Sequence, residues 1–188
     1  MGGAAGWFAI ALPISRLFNF HSKASDCSAV KDGQFLLKGA PSAALAKFDE
    51  AHALASETSG ADLETTLDTS YCTPTYIEMQ RANCWIDLGE PHRAVELFED
   101  QLAALPPEYR NDRGVYLARL ARAHITAGEL ERGAETASKA LAIVTQTGSA
   151  RTFTELSAVA RAVECQRALP TIETFFERFE LVRDRFAA

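Results

Sequence analysis

Three glycines carry the tightest constraint on how this 188-residue chain can fold. Five positions after Gly39, Gly89 and Gly128 comes a small residue (Ala44, Ala94, Gly133). Nine positions after comes Phe48, Phe98 or Ala137, and twelve after comes Ala51, Gln101 or Ala140. A glycine can adopt the left-handed backbone that ends one helix and reverses the chain. A small residue in the following helix lets its backbone approach the first helix closely, and a ring one turn later fills the gap between neighbouring pairs. The pattern predicts an antiparallel helical hairpin written three times. The glycines are 50 and 39 residues apart, and the extra length falls in stretches 58–74 and 107–113, whose polar and proline-bearing composition reads as loop.

The clearest copy spans 75–106. Its first helix carries Ile77, Ala82, Trp85 and Leu88 toward one side, and its turn is Gly89-Glu90-Pro91, with proline suited to the first turn of a helix. Its second helix presents Ala94, Leu97, Phe98 and Leu102 and stops at Pro106-Pro107. The third copy, 114–147, follows through Leu120, Ala121, Gly128, Ala140 and Leu141. The first, 26–56, follows through Phe35, Gly39, Ala44, Phe48 and Ala51, with Gly33 inside its first helix. Beyond Gly148, the periodicity predicts an amphipathic helix over 154–169 (Leu156, Val159, Ala160, Val163), broken by Pro170. A closing helix over 171–186 follows, carrying Phe175, Phe176, Phe179 and Val182.

Apolar residues make up 47% of the chain and charged ones 23%, which excludes disorder, and the apolar share leans on Ala and Leu, which favours helix over strand. A net charge of -6 argues against a chain whose main work is gripping phosphate backbones. Cys27, Cys72, Cys84 and Cys165 lie far apart and form no CxxC pair, so they read as free thiols in a reducing cytoplasm. The apolar N-terminal run with Trp7, Phe8, Ile10 and Leu12 has its basic residues, Arg16 and Lys23, after it, and it is too short to span a bilayer. Residues 1–23 therefore read as an amphipathic N-terminal helix or the remnant of a preceding segment, with no membrane role.

Ala82, Trp85, Leu88, Gly89, Ala94, Phe98 and Pro106 stand, in register, where the tetratricopeptide (TPR) pattern places a small residue, an aromatic, Leu-Gly, Ala, Phe and a terminal Pro. The chain resembles a TPR protein, departing from it with His124 where an aromatic is usual and Ala137 where Phe is usual. The resemblance implies an all-α fold, a TPR-like α-α superhelix of antiparallel hairpins with about seven or eight helices. Its repeats occupy 24–169, and 170–188 forms a C-terminal capping helix that spares the last repeat a bare apolar face.

No phosphate-cradling glycine loop, HExxH or nucleophile elbow is present, and His21, His52, His92 and His124 fall at no ligand spacing. Neither a catalytic residue, a metal site nor a cofactor is expected, and the chain reads as a binding module rather than an enzyme. In stacked helical hairpins the first helix of each pair lines the concave face. On that stripe fall Tyr76, Met79, Asn83 and Ile86 from one repeat and Tyr116, Arg119 and Arg122 from the next. Asn83 can pair with an extended peptide backbone, and the two arginines can hold a carboxylate, a phosphate or an acidic side chain.

The run 76–89 (YIEMQRANCWIDLG) with 112–119 (DRGVYLAR) resembles something narrower: the C-terminal repeat region of actinobacterial helix-turn-helix transcriptional regulators, over about 74–163. That family carries a DNA-binding domain ahead of a TPR-like sensor or dimerisation region, and no helix-turn-helix is visible here. The chain is then either a truncated regulator or a stand-alone repeat protein. The resemblance implies a cytoplasmic protein- or peptide-binding module with a regulatory role and no direct nucleic-acid contact of its own. The alternative is a structural homodimerisation module without a ligand, its subunit contact formed by Trp7, Phe8, Phe175, Phe176 and Phe179.

Overall fold

The computed structural model describes residues 41–58 and 73–187. These form seven α-helices: α1 (Pro41–Thr58), α2 (Pro74–Asp87), α3 (Pro91–Ala104), α4 (Arg110–Thr126), α5 (Leu130–Thr147), α6 (Ala150–Val163) and α7 (Pro170–Ala187). One 3₁₀ turn, Glu164–Gln166, follows α6, and no strand occurs among the described residues. The expected N-terminal helix over 1–23, the first hairpin's Phe35 and Gly39, and most of the loop 58–74 lie outside the described residues.

The chain reverses where the glycines predict, by one device used twice. At the end of α2, Gly89 (φ +78) donates its N–H to the carbonyl of Ile86 at 3.1 Å, and Glu90 donates to Trp85 at 2.9 Å. At the end of α4, Gly128 (φ +84) donates to Ile125 at 3.0 Å, and Glu129 to His124 at 2.9 Å. This pair of bonds satisfies carbonyls that a helix end otherwise leaves orphaned. A third left-handed glycine, Gly148 (φ +66), closes α5. The starts are equally local. Pro74 and Pro91 open α2 and α3, and the hydroxyls of Thr73 and Ser149 accept the N–H groups of Tyr76 and Thr152.

Two helices differ in extent from the sequence reading. Residues 110–113 are the first turn of α4 rather than loop, and α6 runs from Ala150 instead of 154 and ends at Val163. The Ser149 cap explains the earlier start of α6. At α4, Arg113 donates to the carbonyls of Leu102 (3.3 Å) and Leu105 (2.5 Å), tying the helix start to the end of α3.

Each helix packs against its neighbour in sequence from α1 through α6. The first helices of successive pairs, α2, α4 and α6, also touch in order, while α7 packs chiefly against α5. One apolar cluster joins α2, α3 and α4 around Phe98, Met79 and Tyr116. Another joins α4 to α7 around Leu156, Ile172 and Phe175. Phe98 is fully buried, whereas Trp85 is half-buried with the Arg93 guanidinium 4.8 Å from its ring centroid. Small residues set the helix spacing. A Cβ on Gly133 would lie 2.6 Å from Ile125 Cγ1 and 3.1 Å from the Ala121 carbonyl, and one on Gly114 would lie 3.0 Å from Thr152 Oγ1. Ala137 is buried in the same cluster as Phe175, Phe176 and Phe179 of α7.

Truncating Phe98 to Ala should cost about 3–5 kcal/mol in urea unfolding followed by circular dichroism, because its site is enclosed by three helices. Gly89→Ala and Gly128→Ala should each cost about 1–2 kcal/mol, and by similar amounts, since both turns need the same left-handed residue with open space around it.

Candidate functional site

The polar residues on the first helices form a ladder across α2, α4 and α6. Arg119 donates from Nε to Glu155 Oε1 at 2.8 Å and from Nη1 to Gln80 Oε1 at 3.4 Å. Arg122 Nη2 donates to Asn83 Oδ1 at 2.6 Å and lies 3.5 Å from Asp87 Oδ1. Both α2–α4 hydrogen bonds, Gln80 to Arg119 and Asn83 to Arg122, bridge 39 residues, the separation of Gly89 and Gly128. The rungs therefore join equivalent positions of consecutive hairpins.

The same register explains where the other expected binding residues went. Met79 corresponds to Ala118 and Ile86 to Ile125, and all four are buried. Tyr116 corresponds to Ile77, not to Tyr76, and both Tyr116 and Ile77 are buried. Met79, Ile86 and Tyr116 are thus core residues at the seam of α2 with α4, with no surface to offer a partner. Asn83 is buried with its carbonyl committed to Arg122, and Tyr76 packs half-buried on the α1–α2 cluster. The arginines expected to await an anion already hold partners within the chain. Of the seven, Arg119 and Arg122 are brought together with Asn83, and the other four are not part of the ladder. Gln80, Asp87 and Glu155, not anticipated as site residues, complete it. Applying the 39-residue offset to polar residues as well as glycines finds Gln80 in the sequence; nothing local marks Glu155.

The ladder carries two arginines against two carboxylates, so it presents a fixed, neutral set of dipoles. Asp87, at its exposed edge, has its pKa raised by desolvation, against the pull of Arg122 and Arg119. Tyr116 is pushed up to about 12, first by burial and then by Asp112. Burial, and then Asp87, raise the pKa of the Cys84 thiol, which disfavours a nucleophilic thiolate. Cys165 is disulfide-bonded, against the expectation of free thiols.

A second polar cluster lies where α3 meets the α4–α5 turn. His124, almost fully buried, places Nδ1 2.8 Å from Glu129 Oε2 and Nε2 3.9 Å from Glu99 Oε1. Arg132 reaches Glu129 (2.9 Å) and Glu99 (3.2 Å). The hydrogen bond from His124, then Arg132, holds the Glu129 carboxyl below its ordinary pKa. The residue departing from the aromatic pattern has thus become a polar tie. Among the described residues no His, Cys, Asp or Glu cluster has the geometry to hold a metal ion. A recess of about 370 Å³ lies beside Tyr109 and Asp112, and an apolar groove of about 220 Å³ runs between α5 and α7. No protein-family model, curated protein or solved structure matches the chain.

A double-mutant cycle on Arg119→Ala and Glu155→Ala should return a coupling of about 1 kcal/mol, above the median for exposed pairs because both side chains are largely covered. Asp87→Asn should be slightly stabilising at pH 7. A raised carboxyl pKa means that the folded state penalises the ionised form above that pKa, and the penalty fades as pH falls toward the unfolded value. Unfolding midpoints of the two proteins should therefore converge below about pH 4. In His124→Leu, carboxyl carbon NMR should show the Glu129 pKa rising toward its ordinary value.

Proposed function

We propose that this chain is a TPR-like protein- or peptide-binding module with a regulatory role, the sensor or partner-binding part of a transcriptional regulator. The observation that carries the reading is the polar ladder across α2, α4 and α6, whose two α2–α4 rungs share one 39-residue register. Successive first helices lie side by side, and the polar groups between them are locked by one another, as a preorganised recognition surface requires. Burial removes Met79, Ile86 and Tyr116 from that surface and leaves the Arg122–Asp87 pair at its exposed edge. A partner meets alternating charge there rather than a free cationic pair, which favours a polar segment able both to donate and to accept. The regulatory part of the reading rests on the likeness of runs 76–89 and 112–119 to the repeat region of helix-turn-helix regulators. In that run Arg113 caps α3, Gly114 admits α6, Val115 and Tyr116 fill the core and Arg119 makes a rung.

The homodimerisation alternative finds no support in the phenylalanines of α7. Phe175, Phe176 and Phe179 are buried within one chain, and Phe153 stacks on Phe179 at 5.4 Å and on Phe186 at 4.3 Å. Trp7 and Phe8 lie outside the described residues.

Peptides selected by display on the full chain should, when titrated into ¹⁵N-labelled protein, shift amides around Asp87, Arg119 and Arg122. Arg122→Ala should weaken them about tenfold, a loss of about 1.4 kcal/mol. Selected peptides that leave α2, α4 and α6 unperturbed would defeat the inner-face reading.

A further inference from the structure

The groove between α5 and α7 has a feature that the packing of the chain leaves unanswered. Leu141 and Ala142 of α5 and Leu181 and Val182 of α7 line it, and Leu181 keeps 71% of its surface in solvent. Arg178 and Arg185 stand on its rim, and no carboxylate lines it. Neither arginine has an ion-pair or hydrogen-bond partner among the described residues. Arg81, Arg93, Arg119, Arg122, Arg132, Arg167 and Arg183 all have carboxylate partners, and although Arg151 and Arg161 also stand without one, only Arg178 and Arg185 line a groove together. Two guanidinium groups without a partner thus flank an exposed leucine in a groove that no carboxylate lines, although the chain as a whole carries a net charge of -6.

The spacing says what covers them. Arg178, Leu181 and Arg185 fall at i, i+3 and i+7, so they share one face of α7, and the arginines lie about 10 Å apart along it. A helix laid in the groove offers apolar side chains to Leu141, Leu181 and Val182, and carboxylates one heptad apart reach both rim arginines. A second copy of this chain fits poorly. A two-fold axis through the middle of this face would set Arg178 of one copy against Arg185 of the other, like charge on like charge, at both ends.

We propose that the α5–α7 groove docks an acidic amphipathic helix of a partner protein, through Leu181 and the arginines at positions 178 and 185. This rests on reading the chain as a partner-binding module, but it uses helices that supply no rung of the ladder except through α4 packing beneath α5.

The test uses the full chain and a fluorescein-labelled helical peptide with leucines on one face and glutamates a heptad apart beside them. A twin peptide carries lysine for glutamate. Anisotropy should show binding of the acidic peptide only, weaker in salt, with amide shifts at Leu181 and Arg185. Arg178→Glu with Arg185→Glu should weaken it about tenfold or more, Leu181→Glu comparably, and Arg122→Ala not at all. These side chains are exposed, so circular dichroism of each variant should match the parent. Equal binding of both peptides, or none, overturns the proposal. So does a dimer in sedimentation that Leu181→Glu dissolves, which would make the occupant a second copy. Binding to phosphatidylserine vesicles that the arginine reversals abolish would overturn it in favour of an anionic membrane. If the acidic peptide fails while display-selected peptides still perturb α2, α4 and α6, this surface alone is refuted; if both fail, the module reading goes too.

Discussion

Everything in this structure follows from two left-handed glycines, Gly89 and Gly128, which end helices with the same pair of hydrogen bonds. Each turn leaves only a few residues between helices, so the next helix must run back along the last, and its apolar stripe meets the stripe just laid down. Because both turns are built alike and stand 39 residues apart, the pairs they create are in register. That register decides which side chains face one another across α2 and α4. Gln80 meets Arg119, Asn83 meets Arg122, and the buried pairs Ile77/Tyr116 and Met79/Ala118 fall at the same offset.

Close helix approach is the second condition, and it depends on missing atoms. Gly133 and Gly114 sit where a Cβ would collide with Ile125 and Thr152, so α5 and α6 reach α4 at a distance larger residues would forbid. Ala137 is buried in the same cluster as Phe175, Phe176 and Phe179 of α7, and the buried ring of His124 has Glu129 as a partner for its Nδ1.

The polar seam shows why binding residues are harder to read than core residues. Helical periodicity identifies a stripe but not its covering. Tyr76, Met79, Asn83 and Ile86 share a stripe, yet the arrival of α4 buries most of it and turns its polar member into a rung. An arginine on such a stripe looks free in one dimension. Arg119 is claimed by Glu155, 36 residues on, and that contact exists only because α6 lies beside α4. Arg178 and Arg185, on the closing helix, meet no carboxylate among the described residues.

Sequence alone determined the helices, their reversals at Gly89 and Gly128, and the residues of the α2–α3 core such as Phe98. These are properties of consecutive residues: caps, prolines, a left-handed glycine and apolar spacing at 3.6. Tertiary structure decided that α7 lies against α5, that Phe175, Phe176 and Phe179 face inward within one chain, and which arginines are neutralised. Those outcomes depend on contacts between residues tens of positions apart, whose pairing is set by how closely one helix can approach the next.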